Sequence, residues 1–277
     1  MPNTVVALAR STHPGPTVAV TAIAVVLGVG VGVEPGHLVL LGLMVFTNQL
    51  SVGLSNDWID ADRDRAVGRS DKPVARGLVS VATVRNAAWI TAALSVLLSL
   101  PLGPGAVIAN AIFVASAWAY NAGLKNTIFS VAPYIVSFGL LPLMVTLAKQ
   151  PPSLVVWWAM AAGAALGVAA HFANVLPDLE DDAATGVRGL PHRMGRRGAG
   201  VATYVVLAAA STLVVIGPAT TPSPLALSGL GLCLAISVLG VVLVITRPPT
   251  RLLFQLIIAA ALLDVVLLSF AGSALPV

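Results

Sequence analysis

Charged residues are scarce in this sequence: only 9% of its 277 residues are Asp, Glu, Lys or Arg, against roughly 25% in an ordinary soluble domain. With 57% hydrophobic residues and a mean hydropathy of +0.94, that scarcity excludes a water-soluble globular fold. Cysteine is nearly absent too. The one copy, Cys233, sits inside an apolar run, which excludes an intramolecular disulfide and a thiolate metal cluster and leaves a small core or lipid-facing residue. The net charge of +4 does not indicate nucleic acid, which needs a basic face on a soluble module. Here the basic residues lie between apolar spans, and nucleic acid is not expected as a partner.

What is abundant is apolar sequence long enough to cross a bilayer, for which about 20 residues suffice. Nine runs qualify, at about 15–33, 37–55, 81–100, 104–121, 128–148, 154–176, 199–217, 224–245 and 251–271. Arg10 and His13 before the first run superficially resemble a signal peptide. No small-x-small cleavage site follows, so the run reads as a retained first span. The prediction is an all-α, polytopic membrane protein, one domain over residues 1–277 in the cell membrane. With the N-terminus cytoplasmic and the C-terminus on the opposite side, fourteen of the fifteen basic residues fall on the cytoplasmic face and only Lys149 on the other, a strong positive-inside bias.

Nine of the eleven acidic residues fall on that same face, in two loops at 56–80 and 174–198. Topology does not demand this, because acidic residues do little to set orientation. The two loops are copies of one pattern. Asn56, Asp60, Asp64, Gly68 and Pro73 have the spacing N-x3-D-x3-D-x3-G-x4-P, and Asn174, Asp178, Asp182, Gly186 and Pro191 repeat it without a gap. Four spans separate the copies, so both leave the membrane in the same direction, as in a parallel repeat with a site between its halves. Spacing of four stacks Asp60 over Asp64, and Asp178 over Asp182, on one helix face if each span continues past its apolar part. Like charges so placed destabilise a bare helix, so a cation is expected against them. Oxygen donors without cysteine or paired histidines favour a hard ion, magnesium before calcium or zinc, and two such pairs suggest a metal-bridged diphosphate. Arg69, Lys72, Arg188 and the isolated Lys125 are suited to its remaining oxygens.

The N-D-x2-D-x3-D stretch at Asn56–Asp64, the Y-x4-K connection at Tyr120–Lys125 and the second D-x3-D at Asp178–Asp182 together resemble the UbiA-type intramembrane prenyltransferase family. The resemblance implies nine helices around a central cavity, with a cytoplasmic cap and a lateral opening to lipid. It also implies two magnesium ions, one held by Asn56, Asp57, Asp60 and Asp64, the other by Asp178 and Asp182 beside Asn174. Arg69, Lys125 and Arg188, with Lys72 nearby, would hold the diphosphate, and Tyr120 and Asn121 would lie near it. The second motif departs from many relatives in reading Asn174-Val175 where they place an acidic residue after the asparagine.

The implied reaction is transfer of a prenyl group from an allylic polyprenyl diphosphate to a lipophilic acceptor, such as an aromatic, a quinone precursor or a lipid. A terpene cyclase of the same architecture, needing no acceptor, is the alternative. A transporter on the parallel repeat would need more polar residues deep in the spans. Of the rest, His171 is placed near the acceptor or in an interhelical contact, and His192 in the loop. Asp264 in the last span must meet a partner or cavity. Trp157 and Trp158 are expected in an interfacial belt, and Asp62, Asp71, Glu180 and Asp181 outside the site.

Overall fold

A computed structural model describes residues 4–177, 179, 186–246 and 251–276, without the side chains of 251–254 and 258. The described elements are helical: α1 (Thr4–Arg10), α2 (Pro14–Gly30), α3 (Pro35–Ile59), α4 (Ala61–Ala66), α5 (Val81–Ser99), α6 (Pro104–Ala122), α7 (Ala132–Leu147), α8 (Trp157–Val175), α9 (Leu190–Ile216), α10 (Pro224–Thr246) and α11 (Arg251–Phe270). Proline opens α2, α3, α6 and α10, at a position where its missing N–H has no partner to lose.

Six of the described helices are long and apolar enough to cross a membrane: α3, α5 with the turn after it, α6, α8, α9 and α10. α1 and α2 make a seventh only if counted as one span despite a 59° bend. The apolar parts of α7 and α11 are shorter, 132–147 and 255–270. The nine expected runs are therefore not all crossings by length and composition. The run expected at 128–148 is shortened because residues 127–131 fold into turns ahead of Ala132.

Close helix approaches fix the bundle. A Cβ on Gly167 of α8 would lie 2.5 Å from the Tyr134 carbonyl and 2.8 Å from Phe138 Cβ on α7, so only glycine lets these backbones meet. Gly167→Ala is expected to lower stability by about 1–3 kcal/mol through overpacking, read as a fall in the melting temperature in detergent. Polar contacts join helices elsewhere in the interior. Asn48 on α3 donates to Asn110 on α6 at 2.8 Å, and Asn110 donates to Ser95 on α5 at 3.2 Å. Asp264 meets the partner its cost demanded, accepting from Ser211 at 2.8 Å with the buried Cys233 thiol at 3.5 Å. The tryptophan pair divides: Trp157 is exposed, whereas Trp158 is buried against Gly217 and is not part of a belt.

Among the described residues, one end of the bundle carries the charged turn after α3 and Lys125 after α6. The other end holds Glu34, Lys149 and the chain's last described turn, where Val156 donates to the Leu275 carbonyl and His37 bonds the Ala148 carbonyl. The two repeat glycines, Gly68 and Gly186, both adopt left-handed backbone, with φ of +69° and +84°.

Candidate active site

The last turn of α3 brings Asn56 to the charged end of the bundle. Helix α3 then stops: Asp60 is the joint between α3 and α4, with φ −85° and ψ −1°. The expected continuous helix is thus broken at the aspartate itself. The Asp64 N–H still bonds the Asp60 carbonyl at 2.8 Å, so the two carboxylates remain one turn apart. Arg63 bridges them, 3.1 Å from Asp60 and 3.6 Å from Asp64. Burial, aided by the neighbouring Asp60 carboxylate, raises the Asp64 carboxyl above the ordinary range against the opposing pull of Lys72 and Arg63.

Lys125 arrives from the turn after α6 and places its ammonium on both oxygens of Asp60, 2.6 Å from Oδ2. Both partners are buried, and burial holds the lysine below its ordinary pKa despite the carboxylate. Asn121 braces the arrangement by donating to the Val52 carbonyl and Ser55 hydroxyl while accepting from Asn56. Asn56 in turn donates to Asp60 at 3.1 Å.

These groups border a cavity of about 520 Å³. Asn56, Asp60, Asp64, Arg69, Lys72, Tyr120, Asn121, Lys125 and Asn174 all line it, so asparagines from both repeat copies reach one space. Asp178 and Asp182 lie outside the described residues. Arg188 is exposed and does not line the cavity, although Val187 and Gly189 on either side do. Asp57 does not line it either. The described part of the second loop docks through Leu190, whose N–H bonds the Ser130 hydroxyl at 2.9 Å, and Ser130 also meets His171 at 3.0 Å. His171 and His192 both line the cavity.

Away from the charges the walls are Val20, Phe113, Ala117, Tyr134 and Phe138. Phe113 precedes Asn121 by two helical turns, which is roughly 12 Å deeper at the α-helical rise. The cavity therefore has a charged mouth and an apolar, aromatic depth.

Arg69 forks onto Asp71, with both nitrogens 2.9 Å from the two carboxylate oxygens. The arginine's hydrogen bonds pull the Asp71 carboxyl down to about 2. Stability from this pair is present above the ordinary carboxylate pKa and lost only as pH falls from about 4 to about 2. Because Asp71 is 60% exposed, the pair is worth at most about 1 kcal/mol. Asp71→Asn is expected to leave the melting temperature in detergent nearly unchanged, as the loss of one exposed ion pair does.

Residues 17–273 match the UbiA prenyltransferase family. The chain belongs to that family. It is 30% identical over 209 residues to the bacteriochlorophyll synthase 33 kDa chain of Cereibacter sphaeroides, an alignment that spans 68% of this chain and 66% of that protein. In fold it resembles a UbiA homolog from Archaeoglobus fulgidus bound to GPP and Mg2+, with a TM-score of 0.72, 17% identity and coverage of 96% and 99% of the two chains. A UbiA homolog from Aeropyrum pernix K1 gives 0.71, with 18% identity and coverage of 90% and 95%.

Among the described residues no three His, Cys, Asp or Glu side chains converge as a complete metal shell. The donor chemistry nonetheless fits the hard ion expected of a UbiA site. Asp60 and Asp64 bring carboxylate oxygens and Asn56 an amide oxygen to one space, and a compact cation, the Lys125 ammonium, already sits on both Asp60 oxygens. Sequence reasoning missed Arg63, which reads as an ordinary loop charge, and His13, which reads as the flank of a span.

Proposed function

We propose that this protein uses magnesium to transfer a prenyl group from an allylic polyprenyl diphosphate to a lipophilic acceptor, releasing diphosphate. The observation that carries this reading is the cavity with carboxylates and cations at its mouth and aromatic walls in its depth, the shape of an amphipathic ligand with an anionic head and an apolar tail. Its volume lies within the usual few-hundred to roughly 1,000 Å³ range of ligand pockets. The relatives support the same reading, since one is a bacteriochlorophyll synthase chain and another is bound to GPP and Mg2+. We take α2, α7 and α11 to cross the membrane with the six longer helices, giving nine crossings and a single domain with a parallel repeat. The charged end faces the cytoplasm, the N-terminus lies on that side and the C-terminus on the other, as the distribution of basic residues favours.

Asn56, Asp60 and Asp64 would hold one magnesium ion, and Asn174 with Asp178 and Asp182 a second. The metal, when bound, supplies Lewis-acid neutralisation of the leaving diphosphate. Lys125, Lys72 and Arg69 line the same mouth and bind diphosphate oxygens as charge-assisted donors; Arg188 joins them by turning its exposed side chain inward. Tyr120, Tyr134, Phe113 and Phe138 enclose the prenyl tail and keep water from the allylic centre as its carbon to oxygen bond breaks. The proton lost by the acceptor passes to a mouth carboxylate or to the departing diphosphate.

The test is incubation of purified protein with magnesium and a panel of allylic diphosphates, with and without membrane lipid extract, following diphosphate and organic products. Magnesium-dependent diphosphate release that requires the extract is expected. Absence of release with every donor overturns the assignment, and cyclised hydrocarbon from donor alone replaces transfer with cyclisation.

A further inference from the structure

We infer that Asp57 anchors a clamp holding the N-terminal turn against α3 as a wall of the cavity, and is a positioning residue rather than a metal ligand. This rests on reading the mouth as a metal and diphosphate site, where the family resemblance implied Asp57 in the metal shell.

Contacts separate the two roles. Asn56, Asp60 and Asp64 line the cavity, and so does Gly53, but Asp57 does not. Residues four apart share a face of a helix, so Gly53 and Asp57 form one stripe. Gly53 is where the backbone of Thr12 presses on α3, so closely that a Cβ there would collide with the Thr12 carbonyl. One turn further along that stripe, Asp57 Oδ1 meets the next residue of the N-terminal segment, His13, with Nε2 at 2.9 Å. Lys72 closes the triangle, its ammonium 2.6 Å from Asp57 Oδ1, 3.0 Å from His13 Nε2 and 3.1 Å from Asn56 Oδ1. Asp57 is 2% exposed.

The clamp explains an uncommon backbone. His13 has φ 52° and ψ 65°, left-handed values that few non-glycine residues adopt. The hydroxyl of Thr17 ties the same turn by donating to the Thr12 carbonyl at 2.9 Å. The turn so held is functional surface, because Thr12, His13, Pro16 and Thr17 line the cavity. Its release would open that wall to water. Lys72 couples the clamp to the mouth, since the same ammonium that meets Asp57 also holds the Asn56 amide oxygen.

Two readouts on the full chain in detergent test this. A Thr12→Cys reporter is labelled with a water-soluble maleimide; the native Cys233 is buried and silent. Mn2+ binding in the presence of inorganic pyrophosphate is followed by electron paramagnetic resonance. His13→Ala and Asp57→Asn are expected to speed labelling at least about tenfold by local opening, and His13→Gln, which keeps a side-chain nitrogen, to stay near the reference rate. Asp57→Asn is expected to bind Mn2+ within about threefold of the unmutated protein, while Asp60→Asn loses at least about tenfold. Loss of Mn2+ in Asp57→Asn comparable to that in Asp60→Asn, or labelling unchanged by Asp57→Asn, overturns the inference. Absence of Mn2+ binding by the unmutated protein would remove the metal-site reading, while labelling would still decide the clamp.

Discussion

Asp60→Asn is expected to reduce kcat/KM for any allylic diphosphate by about a thousandfold, the scale of several kcal/mol of charge stabilisation that a Lewis acid supplies. The same change must also destabilise the fold. Asp60 is the counter-charge of the buried Lys125, which contacts both its oxygens, and removing one member of a buried pair costs about 3–5 kcal/mol. A loss of activity could therefore be a loss of folded protein. The double variant Asp60→Asn with Lys125→Met separates the two, because it removes both charges together. It is expected to recover much of the melting temperature of the parent and none of its activity. Activity of Asp60→Asn within tenfold of the parent, or activity regained by the double variant, would show that Asp60 serves only as a partner for Lys125.

The convergence of Asn56, Asp60, Asp64, Tyr120, Asn121 and Lys125 on one space was legible in the sequence. Acidic residues repeated at a fixed spacing in a nearly uncharged chain repel one another unless a cation joins them, and a lone lysine after a span marks the neighbouring helix. Local backbone at Asp60 was less legible. A helix that stops and restarts within one residue keeps the same i to i+4 spacing, so the spacing alone cannot reveal the break. His13 was hidden for a different reason. Its partners Asp57 and Lys72 lie 44 and 59 residues away, and a polar residue ahead of a first span is ordinarily only a boundary. The available signal was its place directly before Pro14, where a helix begins at the charged end of the bundle. Asp57, next to Asn56 in the motif, is buried against His13 and Lys72 and does not line the cavity, a placement set by residues distant in sequence that the motif does not contain. The helix lengths diverged from the hydropathy runs because hydropathy counts apolar residues whether or not they are helical, as with the turns before α7.

Lys125→Met is expected to move two measured quantities in opposite directions. Without ligand, the Lys125 ammonium occupies Asp60 as a compact cation would, and an incoming metal ion must displace it. Removing the lysine leaves Asp60 with Arg63 as its remaining cationic contact among the described residues, and Mn2+ affinity is expected to rise about tenfold, the lower end of what a hydrogen bond to a charged group is worth. The diphosphate loses a cation at the mouth of the cavity, so kcat/KM for the donor is expected to fall about a hundredfold. Lys125→Arg should fall between. It keeps the charge, but a planar fork replaces a point donor in a buried space shaped around an ammonium. A merely structural lysine would weaken both metal and donor through loss of the mouth's shape. Tighter Mn2+ binding with weaker turnover cannot arise that way, because it requires that Lys125 compete with the metal in one state and act on the diphosphate in the other. Mn2+ titration and donor kinetics on the same preparation decide between them.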